Sequence, residues 1–228
     1  SKANLLMEHH PESSIFITGN TAIDALRLTV QEDYHHQVLD QLDPQKKLVL
    51  VTMHRRENQG QPMRAVFAAL REMVDAHPEL EVVYPVHLSP AVQEAAKEIL
   101  GDHDRIHLIA PLDVFDFHNL ASRSYFIMSD SGGVQEEAPS LGKPVLVLRD
   151  TTERPEGVKA GTLKLVGTDP ERVKEEMTAL LTDPDLYQKM SSTRNPYGDG
   201  KASERIVQAI QHYYGLVDVV SEFIEGEN

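Results

Sequence analysis

The chain has 228 residues, 40% of them hydrophobic and 25% charged, so it is long enough for one large α/β domain or two small ones. Its formal net charge of −14 argues against nucleic acid or an anionic membrane surface as a partner. The absence of cysteine excludes disulfides and thiolate metal sites, and no apolar run is long enough to cross a bilayer. We therefore expect a cytoplasmic protein.

Apolar runs and helix signals alternate along the chain. Residues 1–14 are polar and predict no regular structure, whereas residues 14–17 predict a short strand, followed by a turn at Gly19 and a helix from Ala22. The nearly continuous apolar run at residues 47–53 is typical of a parallel strand buried on both faces. The other predicted strands are residues 80–85, 106–109, 125–128, 144–148 and 162–166. The other predicted helices are residues 62–76, 90–100, 113–122, a helix that opens with Val134, and residues 170–181, 184–191 and 202–214.

This alternation, with its short connections, predicts a doubly wound parallel sheet, a Rossmann-like α/β fold with right-handed crossovers. Ligands of such sheets bind beyond the carboxyl ends of the strands, so the loops that follow strands are the candidate functional loops. The sequence contains no GxGxxG, GxxxxGK[ST] or GxSxG pattern. Nothing in it therefore supports a dinucleotide site, a P-loop or a hydrolase nucleophile elbow.

The stretch at residues 125–142, YFIMSDSGGVQEEAPSLG, predicts a strand, a tight glycine turn and a helix. Such a turn directs unpaired N–H groups and the positive end of a helix dipole at one place, and Gly132 and Gly133 allow positive φ and close approach of a phosphate. Glu137 lies one helical turn after Gly133, where its carboxylate suits a diol such as a ribose, whereas Glu136 is rotated away. The alternative is a plain tight loop with glutamates that complement the helix dipole, and this stretch alone does not decide between them.

Two loops after strands carry histidine. His54 and Arg55, in the sequence HRREN, could contact phosphate or exchange protons, although a surface helix cap with solvated charges explains them slightly better. His54 and Glu57 are too few and wrongly spaced for a zinc site. His87, at the end of the next strand, is more often structural than functional when it stands alone.

Two further loops carry aromatic residues and arginine. Phe115 and Phe117 open a helix and could stack on a flat base; Phe115 is better explained as core, and Phe117 stays open. Arg154 lies in a charged loop between two strands. It could make forked contacts with phosphate or ribose, or form a surface ion pair with Glu153 or Glu156.

Taken together, these loops resemble one family. HRREN from His54, PVH from Pro85, SDSGGVQEEAPSLGKPVLVLRDTTERPEG at residues 129–157 and NPYGDG from Asn195 are similar to the non-hydrolysing UDP-N-acetylglucosamine 2-epimerases, and the resemblance covers roughly residues 1–214. These are bacterial enzymes of the GT-B fold, in which two Rossmann-like domains face each other across a cleft. The resemblance implies that this chain is the C-terminal, nucleotide-binding domain of such a fold.

The resemblance also implies roles for individual positions. Six of them would bind UDP or substrate: Phe117, Ser131, Gly132, Gly133, Glu137 and Arg154. Among these, the turn would hold the diphosphate, Glu137 the ribose hydroxyls, and Phe117 would lie beside uracil. His54 would be catalytic, and Arg55 and His87 correspond to contacts with a second, regulatory substrate molecule in some members. The resemblance implies no cofactor and no metal.

The family interconverts UDP-GlcNAc and UDP-ManNAc by eliminating UDP and adding it back, with carboxylates of the N-terminal domain that this chain lacks. We therefore expect residues 1–20 to be an interdomain crossing segment, residues 21–214 the UDP-binding domain, and residues 215–228 an acidic tail. Its expected partners are UDP or UDP-GlcNAc, the missing N-terminal domain, and a second subunit, because the family is usually homodimeric. Alone, the chain would bind nucleotide without turnover. The alternatives are a stand-alone nucleotide-sugar-binding module and the donor domain of a GT-B glycosyltransferase.

Overall fold

The computed structural model describes residues 2–224, which fold around a six-stranded, wholly parallel sheet. The strands β1 to β6 are Lys47–Thr52, Leu80–Pro85, Ile106–Ile109, Phe126–Ser129, Val145–Val147 and Leu163–Leu165. They lie in the order β3-β2-β1-β4-β5-β6, so the chain winds outward from β1 to one edge and then returns to β4 on its other side. This is the doubly wound arrangement, with its switch point between β1 and β4. The predicted Rossmann-like α/β fold is confirmed.

Helices occupy most of the remaining chain. In the described residues, α1 to α11 are Lys2–Met7, Thr21–Thr29, Gln37–Gln41, Gln61–Ala76, Pro90–Leu100, Val114–Arg123, Gly132–Glu137, Pro155–Ala160, Pro170–Thr182, Pro184–Ser192 and Ala202–Tyr213. Side chains that cap the helices fix several starts, because they accept the first free N–H groups. Asp113 does this for α6, Asp169 for α9 and Asp183 for α10. No helix of residues 2–224 is long and apolar enough to cross a membrane.

Apolar side chains cover both faces of the sheet, and β1 shows why. Val49 and Val51 point to one face and pack into a core with Phe67 of α4, while Leu48 and Leu50 point to the other face. Successive residues of a strand face opposite sides, so only an uninterrupted apolar run can serve two cores. The run at residues 47–53 was predicted to be such a strand, and it is buried in this way.

The N-terminal predictions were wrong in two places. Residues 1–14, predicted to be irregular, contain the helix α1 and a 3-10 turn at Glu12–Ser14. Residues 14–17, predicted to be a strand, join no sheet of the described chain. Ile15 is buried, and the carbonyl of Ile17 accepts a hydrogen bond from the main-chain N–H of Phe223. Ile15 is thus accounted for by packing and not by strand pairing, whereas Ile17 is exposed.

Two short helices were not predicted. The five-residue α3 is capped by His36 and buries one side chain, Val38, too short a segment for helical periodicity to be visible. The helix α8 lies in the charged loop that was expected to be irregular. It begins at Pro155 and ends at Gly161, whose φ of +86° is the left-handed conformation that terminates helices.

The C-terminal segment packs only in part. Residues 217–224 form no helix or strand, and the ring of Phe223 lies 5.7 Å from the guanidinium carbon of Arg205. Of the carboxylates expected in the acidic tail, Glu225 and Glu227 lie outside the described residues.

An ion pair anchors the start of α11 to the preceding loop. Arg205 donates to both carboxylate oxygens of Asp199, at 2.7 Å each. This hydrogen bonding lowers the pKa of Asp199 from its ordinary value of 3.8 to about 2. Because the ionised form is favoured in the folded state, its contribution to stability is complete above pH 3.8 and is lost as the pH falls toward 2.

We expect Asp199→Asn to lower the melting temperature at neutral pH, and the gap from the unmodified chain to narrow as the pH falls below about 4. Thermal unfolding followed by circular dichroism across this range measures the gap. The matched control is Asp185→Asn, which replaces an exposed carboxylate on α10. An equal, pH-dependent gap for that control would contradict the assignment to the Asp199–Arg205 pair.

Candidate functional site

The loops after β1, β2, β4 and β5 meet at the carboxyl edge of the sheet. The strand order makes β1 and β4 neighbours, so the HRREN loop and the glycine turn lie side by side although they are far apart in sequence. The hydroxyls of Thr52 and Ser129, at the ends of these two strands, are 2.7 Å apart. This is the edge at which sheets of this topology bind ligands.

The carboxylate of Asp130 joins the two loops. It is fully buried and accepts hydrogen bonds from the main-chain N–H groups of His54 at 3.0 Å and Arg55 at 2.8 Å, and from Nδ2 of Asn58 at 3.0 Å. The Nε of Arg55 also donates to the main-chain carbonyl of Asp130 at 2.9 Å. A buried carboxylate is costly unless it is hydrogen-bonded, so these donors both stabilise it and fix the HRREN loop.

The ring of His54 remains accessible at this edge. Its side chain is 41% exposed, and its Nδ1 lies 3.4 Å from Oδ1 of Asp130. The ring stacks on that of His87, with centroids 5.3 Å apart and planes 14° from parallel. The Nδ1 of His87 accepts the N–H of Ser89 at 3.1 Å, which orients the second ring. The structure therefore brings His54, Arg55 and His87, all candidates from the sequence, into one cluster.

The glycine turn differs from expectation in its backbone. Gly132 and Gly133 are the first residues of helix α7, and neither has positive φ. Gly132 is needed for space instead, because a Cβ there would lie 3.0 Å from Oε1 of Glu153 and 3.3 Å from Nη2 of Arg154. The N–H of Ser131 is already bound to Oγ of Ser129 at 3.0 Å. Gly133 is exposed, whereas Gly132 is buried beside the charged side chains of Glu153 and Arg154.

Glu137 lies where its spacing predicted. Its Oε1 is 4.0 Å from the position that a Cβ on Gly133 would occupy, so the carboxylate faces the turn. Its Oε2 lies 3.4 Å from Nε2 of His118, a buried residue of α6. Phe117, next to His118, is half-buried against the core on this face of the sheet. Phe115, expected in the core, is instead half-buried against the ring of Tyr34, 5.7 Å between centroids.

Arg154 is held by carboxylates on two sides. Its main ion-pair partner is Glu136, the residue that the helical spacing turned away from the glycine turn, and its Nη1 lies 3.5 Å from Glu153. Tyr197, in the NPYGDG loop, donates to the carbonyl of Arg154 at 2.9 Å. Burial raises the pKa of Tyr197 to about 12, so this hydroxyl keeps its proton. The sequence predicted an ion pair of Arg154 with Glu153 or Glu156. Glu153 takes part in one, and the pair with Glu136 was not predicted.

Three arginines lie at this edge, each paired with a carboxylate. Glu153 lies between three arginines that converge beside Gly132, pairing with Arg55 at 3.0 Å, with Arg149, and more distantly with Arg154. Arg149 also pairs with Glu57 at 3.2 Å and Arg154 with Glu136, so three carboxylates match the three guanidinium groups. Such guanidinium groups suit an anionic ligand that takes the place of a carboxylate.

Sequence reasoning missed residues whose partners are distant in the chain. Asp130 and His118 received no role, because Asp130 acts across β1 and β4 and His118 acts from one helix on another. One signal for Asp130 was available, since a carboxylate that directly follows a buried strand sits at the edge where ligands bind. No local signal distinguishes His118 from a core histidine.

Fold and site define a class of protein: a Rossmann-like α/β domain with a glycine turn and a cluster of ion-paired arginines at the carboxyl edge of its parallel sheet. A family model described as UDP-N-acetylglucosamine 2-epimerase matches residues 1–211. The chain therefore belongs to the UDP-N-acetylglucosamine 2-epimerase family, as the resemblance in the sequence predicted.

Individual relatives and solved structures support the same family assignment. The chain is 61% identical to the UDP-N-acetylglucosamine 2-epimerase of Bacillus subtilis, over 94% of this chain and 56% of that protein. Among solved structures, the S. aureus MnaA–UDP co-structure superposes with a TM-score of 0.93 at 52% identity, over 98% of this chain and 61% of that one. UDP-GlcNAc 2-epimerase from Neisseria meningitidis bound to UDP-GlcNAc gives a TM-score of 0.86 at 43% identity, over 92% and 59%. The chain thus spans between 56% and 61% of the length of these relatives.

We expect Asp130→Asn to lower the free energy of unfolding by about 2–4 kcal/mol, because the amide cannot accept all of the buried N–H groups that the carboxylate now satisfies. Equilibrium unfolding in urea measures this. Asp104→Asn, at an exposed turn, is the control and should change stability by less than about 0.5 kcal/mol. Equal effects of the two substitutions would contradict the bridging role of Asp130.

Proposed function

We propose that this chain is the UDP-binding, C-terminal part of a UDP-N-acetylglucosamine 2-epimerase that interconverts UDP-GlcNAc and UDP-ManNAc. The observation that carries the proposal is the meeting of the glycine turn, Glu137 and the arginine cluster at one edge of the sheet, in a chain of this family. UDP combines a diphosphate, a ribose diol and a flat base, and this edge offers a complementary group for each.

The diphosphate is assigned to the turn at Ser131, Gly132 and Gly133. The exposed Gly133 leaves its main chain open, and Arg154 lies close enough to touch a Cβ on Gly132. Main-chain N–H groups and a guanidinium together form the usual protein environment of a phosphate. In the free chain Arg154 is paired with Glu136 and Glu153, so its contact with phosphate requires an exchange of partners.

The nucleoside is assigned to Glu137 and Phe117. A carboxylate that only accepts hydrogen bonds suits the two ribose hydroxyls and would repel phosphate, so the diol rather than the diphosphate lies over Glu137. Phe117 belongs to α6, the helix that also supplies His118 to Glu137, and its half-buried ring offers a face for uracil.

His54 is assigned to catalysis, with its main chain fixed by Asp130. The imidazole is accessible, and histidine is the side chain that most often acts as a general acid or base. The stack of His54 on His87, with Arg55 alongside, supports assigning Arg55 and His87 to a second, regulatory substrate molecule.

The complete reaction is assigned to a longer protein. Residues 1–20 would cross between domains, residues 21–214 bind UDP, and residues 215–228 form the acidic tail, with carboxylates for C2 chemistry on an N-terminal domain and two subunits in the assembly. Support comes from the longer relatives and from α11, which exposes a row of apolar side chains. These are Ile206, Val207, Ile210 and Tyr213. Such a surface favours a covering partner.

Family membership favours the epimerase over the donor domain of a GT-B glycosyltransferase. A stand-alone nucleotide-sugar-binding module would share the UDP site but not the catalytic role of His54. A cytoplasmic location, expected from the cysteine-free sequence, stays a prediction.

We expect the chain to bind UDP, and Glu137→Gln to weaken that binding by about tenfold or more, because hydrogen bonds to a charged acceptor contribute about 1.5–3 kcal/mol. Isothermal titration calorimetry measures both affinities. Glu175→Gln, the same change at an exposed position of α9, is the control and should leave the affinity unchanged. An unmodified chain that does not bind UDP would overturn the idea of a preformed site.

A second prediction concerns His54. In a hybrid that joins this chain to the N-terminal part of the Bacillus subtilis relative, His54→Gln should lower turnover of UDP-GlcNAc by about 10²-fold or more, since general acid–base catalysis contributes at least that much. UDP affinity should change by less than about twofold. His35→Gln, at an exposed histidine, serves as the control. Full turnover by the His54 variant would remove it from the chemistry.

A further inference from the structure

His118 is a buried histidine with one nitrogen left without a partner. Its side chain is 2% exposed, and its Nδ1 lies 2.8 Å from Oγ1 of Thr29, the last residue of α2. Its Nε2 makes no hydrogen bond among the described residues and lies 3.4 Å from Oε2 of Glu137. A histidine that served only to fill space would not need an unpartnered, buried nitrogen beside a carboxylate.

The hydrogen-bond pattern around the ring restricts where its protons lie. The single hydroxyl proton of Thr29 can go to the carbonyl of Ala25, 3.1 Å away, or to Nδ1 of His118. If it goes to His118, the neutral ring carries its proton on Nε2. If it goes to Ala25, Nδ1 must donate, and a bare Nε2 would then set its lone pair against the carboxylate unless that nitrogen were also protonated. Both favourable arrangements place an N–H on Nε2, the nitrogen that lies beside Glu137.

The two oxygens of Glu137 therefore face different surroundings. Oε2 faces the imidazole of α6, while Oε1 faces the open space over Gly133. A glutamate side chain has three rotatable bonds, and α7 alone does not hold its carboxylate in one orientation. A donor from a neighbouring helix can do so and leaves lone pairs of the carboxylate free for a ligand.

We propose that His118 is a positioning residue for nucleotide recognition, whose Nε2–H fixes the carboxylate of Glu137 so that it is presented to a ribose diol. This inference rests on the proposed function, because it deepens the role assigned to Glu137. His118 does not touch the ligand. Its effect is confined to the part of the affinity that comes from the ribose hydroxyls.

The test compares UDP with 2′-deoxy-UDP by calorimetry, which isolates one hydroxyl of the diol. The unmodified chain should prefer UDP by about tenfold, and Glu137→Gln should lose this preference. Two variants of His118 separate its nitrogens. Asn reaches only the position of Nδ1, so His118→Asn should reduce the preference to about twofold or less. Gln can place an amide N–H near the position of Nε2, so His118→Gln should keep most of it.

The results of this comparison separate a failure of the His118 inference from a failure of the proposed function. If the unmodified chain shows no preference for UDP, the ribose role of Glu137 fails, and the inference fails with it. If the preference exists and disappears in Glu137→Gln but survives intact in a folded His118→Asn, only the inference is overturned. Thermal unfolding shows which variants are folded.

A measurement on the unmodified chain avoids dependence on the folding of His118→Asn. Nitrogen-15 NMR of the imidazole rings, with the His118 signals assigned by their absence in His118→Gln, reports which nitrogen carries a proton. We expect a protonated Nε2 in the free chain. A His118 whose Nε2 carries no proton would overturn the proposal.

Discussion

The buried carboxylate of Asp130 is the interaction on which the site depends. A carboxylate with no exposed surface is stable only when its oxygens are satisfied, and here the donors are main-chain N–H groups of the loop after β1. Those N–H groups come within reach only because β4 lies beside β1, which follows from the doubly wound strand order. The strand order therefore positions Asp130, and the carboxylate of Asp130 in turn positions His54. Loss of the carboxylate would release the HRREN loop without disturbing the apolar core.

The arginines at the carboxyl edge of the sheet can attract a nucleotide although the whole chain is acidic. A net charge of −14 would repel a nucleotide at long range, but screening limits that repulsion to about 8 Å at physiological salt. Within that distance three arginines are paired with Glu57, Glu136 and Glu153, and Glu153 contacts all three of them. The carboxylates of this cluster hold the cationic groups in the free chain and so act as substitutes for an anionic ligand. Binding of a diphosphate would exchange one set of anions for another, which makes affinity sensitive to how easily Glu136 and Glu153 release Arg154.

Sequence predicted the parts of this fold that depend on local pattern. The buried strands were visible because parallel strands need continuous apolar runs, and Glu137 was placed correctly because helix geometry alone returns it over Gly133. Residues 14–17 show the limit, since an apolar run does not create a neighbouring strand to pair with. The glycines show another, because their sequence permits positive φ but neither adopts it, and only at Gly132 would a Cβ make tight contacts. Asp130 and His118 depend on partners brought near by strand order and helix packing, which no local pattern encodes.

The distinction between local pattern and tertiary structure also separates the residues proposed to touch the ligand from those that hold them in place. Contacts that local sequence predicts, the glycine turn and Glu137, are the ones proposed to touch the ligand. Contacts that only the tertiary structure reveals, Asp130 beneath His54 and His118 behind Glu137, lie one layer farther in and face buried surroundings. A ligand-facing group held on a flexible side chain or loop recognises a ligand well only if its orientation is fixed before binding, because otherwise part of the binding free energy is spent on ordering it. The buried layer has no exposed surface to spare for binding. Asp130 fixes the main chain of His54 by hydrogen bonds, and His118 is proposed to fix the carboxylate of Glu137.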